Sequence, residues 1–363
     1  MASDHHGKPY DEGTLIKLNL FDRYIREWLP VFINRPDIRN IQIFDLFCGP
    51  GSDSLGTPGT PLRIINVINE FKEDILKKNT NITAYFNDKA TGKVQELKSK
   101  LAQECPDCLE IKPSTEDFST AFSRLKPLME RANTASLLLL DPTGLPMDPE
   151  LFKQIINLRL TDFLLFNPSE FIHRFKSRPG FANKWPGLED FETGGPKETT
   201  KAFCNYLEEN FIPAQMEYHL AHFDFRKQKG NIYGVIFGSA NWRGLEKFLE
   251  PCWKLAPHNG EASFALPGDF EIPDDHPVLP GLDKSGKLKQ FEKSFRDQVL
   301  NGRIKDTKGA YYAALRAACL PRHAKKVLSD LCREGALEAT KTPPLSYESI
   351  FKKKKVIPLV LRK

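Results

Sequence analysis

Apolar and polar positions follow two repeating patterns along the first two thirds of the chain. Short apolar runs of strand length alternate with longer segments whose apolar residues recur every three or four positions, as in an amphipathic helix. The predicted strands span residues 41–47, 82–86, 109–111, 136–140, 163–166, 216–225 and 232–238, and the predicted helices span residues 14–32, 61–78, 94–102, 118–132 and 245–255. This alternation predicts an α/β fold of the Rossmann type, a mostly parallel sheet with helices on both faces.

The pattern changes after residue 256. Residues 257–287 hold many prolines and glycines and little apolar periodicity, which predicts a linker. Beyond it, three helices are predicted at residues 288–301, 307–320 and 322–334, and two short strands at 336–340 and 356–361. This order predicts a winged helix-turn-helix domain. The predicted organisation is a flexible N-terminus (1–13), a Rossmann domain (14–256), a linker (257–287) and a winged helix-turn-helix domain (288–363).

Composition is typical of an intracellular globular chain. Hydrophobic residues make up 40% of the sequence, and no apolar run reaches the roughly 18 residues of a membrane span. No signal sequence opens the chain, and the seven cysteines are scattered, unlike a disulfide framework. We therefore expect a cytoplasmic protein that does not associate with membranes.

Charge is divided unevenly along the chain. Residues 281–363 carry 20 Lys and Arg against 8 Asp and Glu, a balance of +12, whereas residues 1–280 carry 32 against 39, a balance of −7. A basic end of this kind predicts contact with a polyanion, and nucleic acid, DNA or RNA, is the first candidate. The alternative is a solvated basic surface.

The predicted contacts with nucleic acid lie at two places in the C-terminal domain. Basic residues open the third helix, where a winged helix presents side chains to the major groove, and four lysines follow one another in the predicted wing. These residues are Arg322, Lys325, Lys326, Lys352, Lys353, Lys354 and Lys355. Winged helices also bind proteins, and a lysine run also solubilises an edge, so both alternatives stay open.

A glycine-rich loop follows the first predicted strand, with the sequence Asp45-Leu46-Phe47-Cys48-Gly49-Pro50-Gly51. Glycines at this place let the backbone approach a ligand closely, beside the N-terminus of a helix. Acidic residues follow the next two strands. The predicted cofactor-binding residues are Asp45, Phe47, Gly49, Gly51, Asp88, Glu116 and Asp117.

The loop favours a cofactor without phosphates. It lacks the third glycine of GxGxxG, and no Lys-Ser/Thr pair follows as in a P-loop. Asp45 and the glycines are expected to hold a methionine portion, Asp88 ribose hydroxyls and Asp117 an adenine amine. S-adenosylmethionine is therefore favoured over NAD, and a turn that binds no cofactor remains the alternative.

The fourth strand is followed by Asp141-Pro142-Thr143-Gly144. Amino-methyltransferases that act on bases carry Asp/Asn-Pro-Pro-aromatic at this place, where the polar side chain accepts a hydrogen bond from the target amine and the ring stacks on a flipped base. Asp141 and Pro142 fit this pattern, but the second proline and the aromatic residue are missing. The Phe-x-Gly-x-Gly loop that begins at Phe47 resembles the corresponding loop of the cytosine-C5 methyltransferases. Those enzymes need a Pro-Cys nucleophile after the fourth strand, and this chain has none there. Cys48 is interpreted as a packing residue.

The fifth strand is followed by a second polar group of residues. Asn167 and Glu170 are expected to line the substrate side of the same cleft. Glu170 alternatively pairs with Arg174, four residues further on, along a helix surface. The histidines and the lone Cys105-x-x-Cys108 pair do not match a metal-binding spacing, and no metal is predicted.

The sequence resembles the three-Cys-motif partner proteins (TcmP), a bacterial family. The matching segments are Thr14-Leu15-Ile16-Lys17-Leu18 with Tyr24 and Trp28, Phe44 to Gly51, Gly59-Thr60-Pro61-Leu62, Phe86-Asn87-Asp88, Leu140 to Gly144, Phe163 to Asn167, Tyr233 to Ser239, and Trp253. The family usually has an aromatic residue where this chain has Thr143. The resemblance implies a methyltransferase-like Rossmann domain, a winged-helix tail and a three-Cys-motif partner that resembles radical S-adenosylmethionine enzymes.

Two functions follow from these observations. The first is an S-adenosylmethionine-dependent methyltransferase that acts on nucleic acid, with Asp141, Pro142, Asn167 and Glu170 as the catalytic residues. The second is a nucleic-acid-binding partner protein that keeps the Rossmann fold without catalysing a reaction.

Overall fold

The computed structural model describes residues 8–142, 148–167, 169, 172, 178, 183, 185–188, 190, 195, 197–226, 231–264, 286–339 and 341–362, except for the side chains of residues 103 and 104. The chain divides into two compact units, Met1–Gly244 and Leu245–Lys363. None of the helices in these ranges combines the length and apolar character that crossing a bilayer requires.

The first unit is built on one seven-stranded sheet. Its strands are β1 (Asn40–Asp45), β2 (Asn81–Asn87), β3 (Leu109–Ser114), β4 (Thr134–Leu140), β5 (Thr161–Asn167), β6 (His219–Arg226) and β7 (Ile232–Ser239). They lie in the order β3-β2-β1-β4-β5-β7-β6, and β7 runs in the direction opposite to that of the other six strands. The predicted mostly parallel sheet is confirmed.

Helices cover both faces of this sheet. The first unit contains α1 (Glu12–Ile33), α2 (Thr60–Glu70), α3 (Lys72–Lys78), α4 (Thr91–Glu104), α5 (Phe118–Met129), α6 (Pro149–Ile156) and α7 (Thr199–Phe211). On one face, Tyr24 of α1 donates its hydroxyl to Asp162 of β5 at 2.7 Å. On the other, Phe163 of β5 packs in one cluster with Phe122 of α5 and Phe203 of α7. Strands covered on both faces are apolar throughout, which explains the runs in β4 and β5.

Three helices differ from the prediction. The segment predicted as one helix over 61–78 is two, because the helix breaks at Phe71. Helix α6 was missed because it is short, although Asp148 caps its N-terminus and Pro149 occupies its first position. Helix α7 follows directly on a segment rich in Gly, Pro and charge, which hid its start.

The second unit begins inside helix α8 (Trp242–Leu255), whereas the sequence placed the end of the Rossmann domain at residue 256 and the C-terminal domain after a linker, from residue 288. Helix α8 belongs with the C-terminal segment because its side chains bond there. Glu246 accepts a hydrogen bond from Tyr311 at 2.7 Å, and Trp253 Nε1 donates to the carbonyl of Ala318 at 3.0 Å. The three helices that follow are α9 (Gly286–Leu300), α10 (Thr307–Arg316) and α11 (Pro321–Arg333), close to their predicted bounds.

The two predicted C-terminal strands are reduced to single bridges. Leu337 pairs with Leu361, and Asp306, just before α10, pairs with Pro358. Pro358 has no N–H to extend a ladder, which limits strand formation here. Between the bridges the chain forms a π-helical turn over Glu348–Lys352, so the predicted wing carries a helical turn instead of two regular strands.

Candidate functional site

Asp45 ends β1 with a carboxylate that is almost entirely buried and only half satisfied. Among the described residues, its side chain accepts one hydrogen bond, at Oδ1 from the N–H of Phe47 at 3.2 Å, and buried Oδ2 has no hydrogen-bond partner. Burial raises the pKa of Asp45 to about 7, and the charges of Asp141 and Asp88 act in the same direction. A buried, unsatisfied carboxylate oxygen is costly, so this atom is suited to a ligand that donates a hydrogen bond.

The loop after Asp45 needs its two predicted glycines. Gly49 and Gly51 have φ angles of 60° and 87°, in the left-handed region. A Cβ atom on Gly51 would also lie 2.8 Å from Cδ1 of the buried Leu97. The conformation of the loop at the end of β1 therefore depends on glycine at both places, and both glycines are buried.

Asp88 ties this loop to the end of β2. Its Oδ2 accepts a hydrogen bond from the N–H of Gly49 at 3.2 Å, and its Oδ1 accepts one from Ala90 at 2.9 Å. The N–H of Cys48 donates to the carbonyl of Asn87 at 2.9 Å. Asp88 is thus in the predicted position, and a carboxylate with four lone pairs retains capacity for ligand hydroxyls.

Helix α2 begins at Thr60, one residue before its predicted start and several residues after the loop. Residues 52–58 form an excursion that returns to the loop, where the N–H of Gly59 donates to the carbonyl of Gly51 at 2.7 Å. Asp53 holds this detour through hydrogen bonds from Leu55 and Thr57, at 2.9 and 2.8 Å. The N-terminus of α2 therefore still lies beside Gly51.

Lys17 of α1 is a site residue that the functional prediction missed. It forms an ion pair with Asp141, which follows β4, although the two are far apart in sequence. The Lys17 side chain is 8% exposed and that of Asp141 is 30% exposed. The Lys17 ammonium also lies 4.8 Å from the centre of the Phe166 ring. Asp141, predicted to receive the amine of a substrate, is thus already bonded to an amine of the protein. Pro142 follows it, half-buried, and Thr143 and Gly144 lie outside the described residues.

Tyr10 is a second missed residue. Its N–H donates to Asp53 at 2.8 Å, and its hydroxyl lies against Gly59, where it is 2.9 Å from the position of a Cβ atom. Burial raises the pKa of the Tyr10 phenol, helped by the charges of Asp53 and Asp141. Residues 8–11 were predicted as part of a flexible end. They are held because Asp11, rather than the expected Thr14, caps α1.

Glu116 and Asp117 are engaged with protein groups. Glu116 binds Arg124 through two nitrogens, with a shortest distance of 2.7 Å. Asp117 caps α5 by accepting hydrogen bonds from the backbone and the hydroxyl of Thr120. The hydroxyl also lowers the pKa of Asp117. Both carboxylate oxygens of Asp117 thus have a donor, as those of Asp88 do, and contact of Asp117 with adenine stays a prediction.

Asn87 and Phe47 organise the same edge of the sheet. Asn87 is buried at the end of β2, where its amide donates to the carbonyl of Glu116 at 3.0 Å and accepts from the hydroxyl of Ser114 at 2.9 Å. Phe47 is half-buried and stacks on Phe118 with ring centres 5.1 Å apart. These contacts fix the ends of β1, β2 and β3 relative to one another.

Asn167 ends β5 in a buried polar row. It pairs across the sheet with Gly234 of β7, which pairs in turn with Asp224 of β6. Within the described ranges, Asn167 Oδ1 and both carboxylate oxygens of Asp224 are buried without a hydrogen-bond partner, although His222 Nδ1 lies 3.2 Å from Asp224 Oδ2. Asn167 therefore lies at the end of β5 and is fully buried, its contact with a substrate stays a prediction, and Glu170 lies outside the described residues.

The seven basic residues predicted to contact nucleic acid fall into two groups. Three of them are paired with carboxylates, Arg322 with Glu250, Lys326 with Glu292 and Lys353 with Glu348, at 2.8, 3.3 and 3.0 Å. The other four are exposed and form no ion pair within the described ranges: Lys325, Lys352, Lys354 and Lys355. Seven cations were predicted to meet nucleic acid, but only the second group is uncompensated.

The thiol of Cys48 lies in the predicted cofactor loop and is buried. Burial raises the pKa of the Cys48 thiol, with Asp45 and Asp88 acting in the same direction, so the thiol stays protonated at neutral pH. Among the described residues no three His, Cys, Asp or Glu side chains are grouped to hold a metal ion.

Neither a family model nor a curated protein matches the chain. Among solved structures it is similar to the O-methyltransferase TomG from Streptomyces achromogenes in complex with S-adenosylmethionine, at 10% identity and a TM-score of 0.33, over 65% of this chain and 98% of TomG. It is also similar to an O-methyltransferase from Bacillus cereus in complex with S-adenosylhomocysteine, at 11% identity and a TM-score of 0.30, over 60% and 79%. M. jannaschii TYW2, in complex with S-adenosylmethionine, has 8% identity and a TM-score of 0.30, over 63% and 75%. Because each of these TM-scores is below 0.5, our description of the fold rests on strand order and pairing.

Proposed function

We propose that the first unit binds S-adenosylmethionine at the ends of β1 and β2 and transfers its methyl group to a nucleic acid. The observation that carries this proposal is the buried, unpartnered Oδ2 of Asp45 beside a loop that requires Gly49 and Gly51. The strand order 3-2-1-4-5-7-6 with an antiparallel β7 is that of the class I methyltransferase fold and supports the same function.

The residues fit the chemistry of this ligand. S-adenosylmethionine carries an ammonium group, which suits Asp45, and a ribose diol, which suits the remaining lone pairs of Asp88. It carries no phosphate, and neither a third glycine nor a P-loop lysine is present to hold one. The group supplies an activated methyl on a sulfonium sulfur when it is bound.

Nucleic acid as the substrate is supported by the second unit. Helices α9, α10 and α11, followed by the bridge between Leu337 and Leu361, have the chain order of a winged helix. Four exposed lysines without ion pairs among the described residues are suited to phosphate contacts. A three-Cys-motif partner that resembles radical S-adenosylmethionine enzymes is part of the same proposal and rests on the sequence resemblance alone.

Calorimetry of the full chain tests the cofactor part. We expect S-adenosylmethionine and S-adenosylhomocysteine to bind one to one, and NAD and ATP to give no saturable heat. Asp88→Asn, which keeps an acceptor for Gly49, is expected to weaken binding less than Asp88→Ala does. Tight binding of NAD, or of no adenosyl compound at all, would remove the proposal.

A second candidate is a binding partner that does not catalyse methyl transfer. One observation favours it: Lys17 is bonded to one oxygen of the Asp141 carboxylate, the group that was predicted to accept a hydrogen bond from an amine substrate. Labelled methyl groups from S-adenosylmethionine, offered to DNA, RNA and protein pools, distinguish the two functions. If label enters any pool with the wild type and not with Asp45→Ala, the enzyme is supported. If the wild type binds S-adenosylmethionine but no label enters any pool, the partner protein is supported.

A further inference from the structure

Lys17 and Asp141 form a charged pair beside the predicted cofactor loop. Asp45 pairs with Leu139 across the neighbouring strands β1 and β4, so Asp141 follows β4 at the edge of the sheet where Asp45 ends β1, and Lys17 is bonded to Asp141. The pair therefore stands at the end of the site that we propose for the methionine portion, where the methyl group is carried. Neither side chain is fully exposed to solvent: that of Lys17 is 8% exposed and that of Asp141 is 30% exposed.

The pair is poorly suited to an amine acceptor. An exocyclic amine donates hydrogen bonds, so it could bond to Oδ1 of Asp141, but it offers no good acceptor to the Lys17 ammonium that holds Oδ2. The ammonium itself offers only donors, so an amine placed beside it would meet donors with donors. Lys17 is held in place by Asp141 on one side and by the Phe166 ring on the other.

A hydroxyl group satisfies both members of the pair. Its oxygen accepts a hydrogen bond from the Lys17 ammonium, and its hydrogen is donated to Oδ1 of Asp141, which has no hydrogen-bond partner among the described residues. A fixed ammonium beside the oxygen also stabilises the negative charge that develops as the proton leaves. The two groups thus match a hydroxyl at each end.

We propose that Lys17 and Asp141 bind and activate a hydroxyl oxygen as the methyl acceptor, which in a nucleic acid is the ribose 2′-hydroxyl of RNA. This inference rests on the proposed function, because it assumes bound S-adenosylmethionine. DNA lacks the 2′-hydroxyl, so the pair selects RNA over DNA at the reacting group.

The reaction balances with these groups alone. The hydroxyl oxygen forms a bond to the methyl carbon, the bond between that carbon and the sulfonium sulfur breaks, and its electron pair stays on sulfur as a neutral thioether. Asp141 takes the hydroxyl proton and releases it to water. Lys17 keeps its charge throughout and acts by stabilising the oxygen.

Labelled methyl transfer at pH 8.5 tests this proposal, because Asp45 is ionised there. The protein receives S-adenosylmethionine with an oligoribonucleotide, the same sequence fully 2′-O-methylated, or the corresponding DNA. We expect label only in the first, in an alkali-resistant dinucleotide. Lys17→Met should lower transfer by about 10²- to 10³-fold, as for loss of one oxyanion donor, and Lys17→Arg should restore part of it.

Binding measurements provide the second readout and the control. S-adenosylmethionine affinity of Lys17→Met should stay within about threefold of wild type at this pH, since Lys17 meets the acceptor rather than the cofactor. In the presence of S-adenosylhomocysteine, Lys17→Met should lose the preference of the wild type for the ribo- over the deoxy-oligonucleotide. Lys153→Met, which breaks the exposed ion pair with Glu150 on α6, should change nothing.

The outcomes separate this inference from the function on which it rests. Label on a base nitrogen, in DNA or in the 2′-O-methylated oligonucleotide, or full transfer by Lys17→Met, would overturn the hydroxyl proposal and leave a methyltransferase. Failure of the wild type to bind S-adenosylmethionine would overturn the proposed function itself. Cofactor binding without transfer to any probe would overturn the hydroxyl proposal and favour the partner protein.

Discussion

We predicted a binding function for two regions, the edge of the sheet around Asp45 and the basic surface of the second unit. They differ in whether the predicted binding groups already have partners within the protein. Around Asp45, the buried oxygen Oδ2 has no hydrogen-bond partner among the described residues, so a ligand can supply the missing hydrogen bond. On the basic surface three of the seven predicted cations already hold a carboxylate. An unsatisfied buried group is therefore a sharper sign of a ligand than a count of surface charges.

The largest expected effect tests the Asp45 side of this comparison. Asp45→Ala removes the only buried carboxylate oxygen that we assign to the ligand's ammonium, so S-adenosylmethionine affinity should fall about 100-fold, as for loss of a charged hydrogen bond. Asp162→Asn is the matched control, since Asp162 is a buried aspartate of the same sheet that is satisfied by Tyr24. Calorimetry of both variants should show weakened binding only for Asp45→Ala; equal losses would indicate a general effect of buried charge.

The next effect tests the basic surface. Replacing Lys325, Lys352, Lys354 and Lys355 by Gln should make the dependence of log affinity on log salt shallower by about 0.7 to 0.9 for each phosphate that the protein no longer neutralises. Replacing the paired Arg322, Lys326 and Lys353 should change the slope less per residue, because their charge is already compensated. Titrations of a nucleic-acid duplex from low to high salt measure both slopes, and identical slopes per residue would erase the distinction that we draw.

A smaller effect is expected from pH. Because burial raises the pKa of Asp45 to about 7, the carboxylate that binds an ammonium is formed only as the pH rises through that value. S-adenosylmethionine affinity should therefore rise about fivefold from pH 6 to pH 7 and level off above pH 8.

Stability of the ligand-free protein should change with pH in the opposite direction. The pKa of Asp45 is raised above its ordinary 3.8, so its contribution to stability is fully present below that value and is lost as the pH rises through about 7. Asp162, with a pKa of about 6, contributes with the same sign. Denaturant titrations of wild type and Asp45→Asn isolate the share of Asp45; an affinity or stability profile unaltered by this substitution would contradict the assignment.

The remaining prediction concerns the contribution of the loop itself to stability. Gly51 and Gly56 both have positive φ angles, but a Cβ atom has open space at Gly56 and meets Leu97 at Gly51. Gly56→Ala should destabilise the protein by about 1 kcal/mol from backbone strain alone, and Gly51→Ala by about 2 to 3 kcal/mol from strain plus overpacking. Equal free energies of unfolding for the two variants would mean that the side chain of Leu97 relaxes freely.

Features set by neighbouring residues were predictable from the sequence. The apolar runs gave the strands, and the position of Asp45, Gly49 and Gly51 directly after β1 gave the cofactor loop. Lys17 was missed because periodicity shows it only as a polar residue of α1, while its burial depends on Asp141, which is 124 positions away. Asp117 was assigned to the ligand, but its spacing to Thr120 is also that of a helix cap, and the cap is what forms.

The pairing of surface cations was likewise beyond the sequence. Arg322 and Glu250 are 72 positions apart and meet only when α8 joins the C-terminal helices. The boundary between the units was placed after α8 for a related reason: the linker composition is visible in the sequence, whereas the hydrogen bond from Trp253 to Ala318 is not.

A crystal structure of the protein with S-adenosylhomocysteine tests the central claim most directly. We predict that the amino group of the ligand lies within hydrogen-bond distance of Asp45 Oδ2 and that its ribose hydroxyls lie at Asp88. Ligand density elsewhere in the molecule, or a ligand whose amino group turns away from Asp45, would contradict this claim.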